Sequence, residues 1–364
     1  MRKFLRALSF PLTLLLLSVM LLRAAETADA AFDAMRLSAT VVVPSLFPFC
    51  VLSGVLVRSG LAVRWGRRCE KLMTTLFHVD GACAAPVMLG LLCGYPIGAV
   101  ALSQLYADGE ISKQGAERAL GFSCNASPGF LVAVAGGAIL GSARAGFLLL
   151  AVQVCACLLA GLALRGRGSA RVAVRKTARP VSFAAAFSAA VRDAAVTMVQ
   201  VSGFIVLFSV VLSLLRPITA LIPGGGAQAL CAGFLEVTNG LSVCAASDCG
   251  EKFLLCAAML GWSGLCVHFQ VLSFTLPLGL SPVPYLRGKV LQSLFALLLA
   301  VPLSRFLRVP AAAFTAPSTA PSFPSFFLTA FWAFLCLIFF SHWKFRKKSG
   351  IIKENRAGGT DHAV

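Results

Sequence analysis

Long apolar runs separated by short polar or basic stretches set the pattern of this chain, and a span needs enough consecutive apolar residues to cross roughly 30 Å of hydrocarbon. Such runs cover the stretch up to Leu22 and then about 35–57, 119–141, 145–164, 187–215, 253–275, 286–308 and 325–343. Two further runs, 82–101 and 227–245, carry helix breakers at their centres. In LLCGYPIGA, Gly94 and Gly98 flank Tyr95 and Pro96. In GFLEVTNG, Glu236, Asn239 and Gly240 interrupt an otherwise neutral stretch. Breaks of this kind at membrane depth predict re-entrant hairpins rather than full crossings.

Charge placement leads to the same two runs. The basic residues form short clusters: Arg58, Arg64, Arg67, Arg68 and Lys71; RGRGSARVAVRKTARP at 165–180; and Lys344, Arg346, Lys347 and Lys348. The positive-inside rule puts all three on the cytoplasmic side. Three apolar segments join the first cluster to the second and five join the second to the third, whereas a return to the same side needs an even number of crossings. One segment of each set must turn back, and the breakers select 82–101 and 227–245. Traced through, the two hairpins enter from opposite faces, which is an inverted repeat.

The expected fold is therefore all-α: a polytopic membrane protein with about eight transmembrane helices and two re-entrant helical hairpins, both termini cytoplasmic. The expected divisions are an N-terminal span and loop at 1–34, a first repeat half at 35–164, a basic linker at 165–184, an inverted second half at 185–308, and at 309–364 a Pro/Ser linker, last span and basic tail. Trp332 and Trp343 read as interfacial anchors of that last span. Arg305 and Arg308 fall on the outer side in this count. MRKFLR followed by apolar residues and the acidic stretch RAAETADAAFDAM resembles a signal peptide, which we read as a retained first span. Arg192 and Asp193 read as an interfacial ion pair at a span entrance.

Composition excludes other classes. With 58% hydrophobic and 13% charged residues, the chain lies outside the soluble globular range. Its net charge of +18 belongs to topology signals, with no basic segment interleaved with aromatics for nucleic acid. The thirteen cysteines lie mostly in apolar stretches without a CxxC pair, so they read as packing residues and no metal or cofactor is expected. No GxxxxGK[ST] loop is present. Ser263 and His268 are five residues apart and do not share a helical face, so no enzyme is expected.

Four breaks, at 94–98, 125–129, 236–240 and 263–270, are expected to converge near the midplane. Exposed helix N-termini favour an anionic ligand. Gly94, Tyr95, Pro96, Asn125, Ser127, Pro128, Thr238, Asn239, Ser263, Gly264 and Gln270 form the expected substrate site. Glu236 and His268 are the expected ion- or proton-coupling pair. A carboxylate at mid-membrane costs about 2.5–3.5 kcal/mol on insertion scales. Glu236 therefore faces a cavity, binds a cation, holds a proton or touches substrate, or else pairs with His268 or caps a helix.

PSLFPFCVLSGVL (44–56), GYPIGA (94–99), ISKQGAERALGFSCNASPGFL (111–131), GFLEVTNG (233–240) and SGLCVHFQVLS (263–273) occur in an order and spacing that resembles the YlbJ-type, SpoVV-like sporulation integral membrane proteins. That family belongs to the nucleoside-recognition or Gate-domain group, which is similar to concentrative nucleoside transporters in using paired helical hairpins. The resemblance implies a role in endospore formation, in the outer forespore membrane, carrying dipicolinic acid. A nucleoside or other small-metabolite carrier and a non-transporting scaffold of spore maturation stay open as alternatives. Expected partners are the small-molecule substrate and the lipid bilayer, with proton or cation coupling and with homo-oligomerisation left open. No nucleic acid is expected.

Overall fold

The computed structural model describes residues 2–166, 182–248 and 250–305. In chain order the α-helices are α1 (Arg2–Leu22), α2 (Ala24–Leu37), α3 (Val43–Arg58), α4 (Leu61–Gly66), α5 (Glu70–Leu76), α6 (Ala84–Cys93), α7 (Ile97–Ala107) and α8 (Lys113–Ser123). They continue as α9 (Ala143–Ala163), α10 (Phe183–Thr219), α11 (Gly225–Leu235), α12 (Val237–Ala246), α13 (Lys252–Trp262), α14 (Gly264–Thr275) and α15 (Pro282–Ser304). A π-helical segment, Phe130–Ile139, follows the break after α8, and no strand occurs among the described residues.

Helix starts are written locally. Ser112, Ser142, Ser182 and Ser281 sit at the N-caps of α8, α9, α10 and α15, each side chain accepting a backbone N–H of the first turn. This satisfies donors that a helix end otherwise leaves open.

The same succession of elements occurs twice. A long helix (Ala24–Arg58, then α10) is followed by a hairpin (α6–α7, then α11–α12). A broken helix comes next (α8 with Phe130–Ile139, then α13 with α14), and a closing helix ends each half (α9, then α15). The first half adds the short basic helices α4 and α5 between its long helix and its hairpin. Packing between halves is reciprocal: the long helices pack on each other, α9 packs on α15, α15 packs on α8 and α9 packs on α13. Likewise α7 meets α14, and α12 meets Phe130–Ile139.

Small residues make the hairpins tight. A Cβ at Gly90 would lie 3.4 Å from the Cα of Gly98 across the α6–α7 hairpin, and a Cβ at either would overlap the Ser123 carbonyl of α8. In α11–α12, a Cβ at Gly240 would overlap the backbone of Gly233. Close backbone approach through small residues is how helices associate where no hydrophobic drive separates protein from lipid. Large apolar side chains such as Leu158, Val199, Leu207 and Leu298 face outward instead.

Among the described residues, five helices are long and apolar enough to cross a membrane: Ala24–Arg58, Ala143–Ala163, Phe183–Thr219, Lys252–Leu278 and Pro282–Ser304, with a sixth if the pair Leu61–Leu76 and Gly81–Cys93, bent by 102°, is one span. The sequence led to about eight, and the difference has local causes. In α1 only Thr13–Leu22 is a continuous apolar helix. The run 119–141 is broken at 124–127. The last span with Trp332 and Trp343, the basic cluster at 344–348 and Arg308 lie outside the described residues.

Two readings are corrected. The acidic stretch taken as a loop after the first span is α2, helical and continuous with α3 through a π-helical turn. Asp193 pairs with Arg58 of the other long helix rather than with Arg192. Adjacent residues on a helix point apart, so neighbours in sequence are poorly placed to pair.

Candidate functional site

The first hairpin is tied to the first helix break. Gly94 turns the chain with φ +92, a conformation that favours glycine. A Cβ there would lie 3.1 Å from both the backbone N and the Cβ of Ser127. The Tyr95 N–H donates to the Asn125 carbonyl at 2.7 Å, joining tip to break. The Ser127 hydroxyl accepts the Phe130 N–H at 3.3 Å, and Pro128 lies where the next helical segment starts. Pro96 completes the hairpin turn as the N-cap residue of α7.

The second hairpin is tied to the second break in the same manner. Ser263 takes a left-handed conformation (φ +77), unusual for a residue bearing a side chain, and Gly264 follows at φ +82. A Cβ on Gly264 would lie 3.0 Å from the Val237 nitrogen and 3.2 Å from the carbonyls of Gly233 and Leu235, so this glycine is seated on the hairpin tip. The Trp262 indole donates to the Phe234 carbonyl at 3.1 Å and stacks on the Phe234 ring.

Glu236 is the N-cap of α12. Its carboxylate accepts the N–H groups of Thr238 (3.0 Å) and Asn239 (2.7 Å) and the Asn239 side-chain amide (2.8 Å). The charge sits against the positive end of a helix dipole, which makes a buried carboxylate tolerable. His268 is not its partner. The imidazole Nδ1 bonds the Tyr285 hydroxyl at 2.9 Å and the ring packs edge-on against Trp262, while Nε2 has no hydrogen bond among the described residues. Ser263 donates to the Leu260 carbonyl and Gln270 to the Cys266 sulfur. Thr238 is only partly buried. Tyr95 packs against both hydrophobic cores of the fold, and together with Cys266 it lies within electrostatic range of Glu236.

A third group of polar residues escaped the sequence reading. Lys289, on α15, is fully buried, and its ammonium donates to the Cys124 carbonyl (2.9 Å) and to Gln292 Oε1 (2.8 Å). The Gln292 amide in turn donates to Asn125 Oδ1 (2.8 Å) and Gln153 Oε1 (3.2 Å), and the Gln153 amide donates to the Ala257 carbonyl (2.8 Å). Gln153 and Gln292 are the eleventh residues of α9 and α15, the corresponding closing helices of the two halves. Lysine inside the run 286–308 was the available signal, by the rule that flagged Glu236. It lies near the edge of that run, beside Arg287, and was not singled out.

This network makes a checkable prediction. Gln153→Leu and Gln292→Leu each strand buried partners, so each should cost about 1–3 kcal/mol. The double variant should cost less than the sum, read as thermal stability in a double-mutant cycle. Additive losses would mean that the two amides do not interact.

Of the expected site residues, the structure thus joins Gly94 and Tyr95 to Asn125 and Ser127, and Glu236, Thr238 and Asn239 to one another. Ser263 and Gly264 pack under the second tip, and His268 turns toward α15. A cavity of about 320 Å³ lies beside the second tip, between α11, α13 and α15, lined by Gly233, Phe234 and Trp262 together with apolar residues such as Leu230 and Leu294.

All-helical architecture, several apolar spans, and hairpins turning inside apolar runs define the class: an α-helical polytopic membrane protein. Within that class, the chain is similar to the sporulation integral membrane protein YlbJ of Bacillus subtilis (strain 168), with 26% identity over 294 residues covering 70% of this chain and 72% of that protein. This likeness supports the YlbJ-type assignment suggested by the motifs. No family model matches the chain, and no solved structure matches it.

Proposed function

We propose that the chain is a sporulation membrane transporter for a small anionic solute, with dipicolinate the substrate implied by its YlbJ-type motifs and the outer forespore membrane its place of action. One observation carries the reading: two hairpin tips are each bonded or packed onto a helix break, and the first of these breaks is part of a buried polar network. Irregular backbone at membrane depth is stable only where protein or a water-filled cavity satisfies it, and breaks at corresponding places in two halves are the usual site of solute binding. Coupling to protons or cations belongs to the same proposal.

The test is uptake by proteoliposomes of labelled dipicolinate and a panel of nucleosides, with and without an imposed proton gradient. Dipicolinate uptake is the expected result. Uptake of nucleosides alone would reassign the substrate class, and uptake of neither would favour a scaffold. Asn125→Ala removes the acceptor for Gln292 and should lower uptake about tenfold while the protein still reaches the membrane.

A further inference from the structure

Lys289 is fully buried, and none of the ion pairs among the described residues includes it. Two neutral oxygens hold its ammonium, one the carbonyl of Cys124 and the other the side chain of Gln292. Cys124 is the C-cap of α8, where that helix stops inside the fold, so its carbonyl lies at the negative end of the helix dipole. Carbonyls at the ends of broken helices are the ligands that coupled transporters offer to a dissolved sodium ion or proton.

We infer that Lys289 is a built-in coupling cation: its ammonium occupies the place that such a metal ion would take, and the ion coupled to transport is its proton. The inference rests on the transporter reading above and assigns to Lys289 the coupling expected of Glu236, whose carboxylate caps α12.

The surroundings suit this role. Facing Lys289 are Cys124 and Asn125 from the α8 break, Cys157 and Gln153 from α9, His268 from α14, and Tyr285 and Gln292 from its own helix. From α13 comes the Ala257 carbonyl behind Gln153; between Phe253 and Trp262 this helix carries no charged side chain, and Cys256 is its one thiol. No carboxylate stands among them. The charged ammonium ties the α8 break to α15 through charge-assisted bonds, and the neutral amine holds those oxygens far less tightly. Gaining or losing one proton therefore fastens or frees the break. An ammonium has three N–H donors, of which two are engaged among the described residues, leaving one for a carboxylate of the solute. One proton carried inward would then accompany and partly neutralise the anion.

The test combines transport with an ion-binding readout that needs no substrate. In proteoliposomes, wild-type uptake of dipicolinate should follow an imposed proton gradient and be indifferent to replacing sodium by choline. Lys289→Gln and Lys289→Arg should each lose about tenfold or more of the gradient-driven component, the arginine because it cannot release its proton. Glu236→Gln should melt lower, yet what uptake remains should still follow the gradient. In detergent, the melting temperature of the wild type should not respond to sodium chloride, whereas Lys289→Ala, with its oxygens vacated, should gain a few degrees from it. Gradient-driven uptake retained by Lys289→Gln, or a sodium requirement in the wild type, would overturn the inference. Should the wild type move no solute at all, the transporter reading fails. The cation site is then decided by melting alone, and it too fails if Lys289→Ala does not respond to sodium.

Discussion

Gly240→Val is expected to abolish the folded protein or to lower its melting temperature by more than any other single substitution named here. A Cβ at Gly240 would lie 2.2 Å from the Cα and 2.4 Å from the nitrogen of Gly233, so both partners at this crossing are main chain and neither can rotate away. The hairpin is also poorly able to splay. Its tip is held by the Trp262–Phe234 hydrogen bond and by Gly264, while Gly233 is packed by Met259 of α13. Overpacking a close-fitted core typically costs about 1–3 kcal/mol, and here, with main chain on both sides, the cost should lie above that range, beyond about 4 kcal/mol. Gly203→Val on α10 is the control, because nothing lies within 4 Å of a Cβ at that exposed position. Size-exclusion profiles and melting curves of the two variants should differ sharply. Equal behaviour would mean that the α11–α12 hairpin is not packed as described.

Glu236→Ala is expected to cost about 2–4 kcal/mol, because it removes a helix cap, typically worth about 0.5–2 kcal/mol, and strands partly buried donors, for which a fully buried one would carry about 1–3 kcal/mol each. Three donors are affected: the N–H groups of Thr238 and Asn239 and the Asn239 amide. Glu236→Gln keeps one acceptor oxygen and should cost about half as much. Thermal melting in detergent ranks the three proteins. Were alanine and glutamine to melt alike, the carboxylate would not be acting through those bonds.

The two hairpins were legible because Gly94, Pro96, Glu236 and Gly240 interrupt apolar runs, and an interruption in a uniform background is the strongest signal such a sequence carries. The acidic stretch 23–34 misled because charge was weighed over propensity. Its alanines are the best helix formers, and Glu26 lies in the first turn of α2, where a negative charge is favoured and where it also pairs with Arg23. Pairing across elements was not legible at all. Nothing in the neighbourhood of Arg58 names Asp193, and nothing near Gln153 names Gln292, because such contacts are set by how helices cross. Glu236 stood out as an anomaly, but its use stayed open between a cavity, a coupled ion and a cap, and the cap is what its hydrogen bonds describe.

The meeting of Gln153 and Gln292 has a mechanical consequence. Matching residues of two similar halves touch only near the axis that relates them, and points on an axis stay put when the halves exchange their shapes. If one half opens as the other shuts, this amide handshake is the fulcrum, so a covalent link engineered there should leave the cycle running while links further out arrest it.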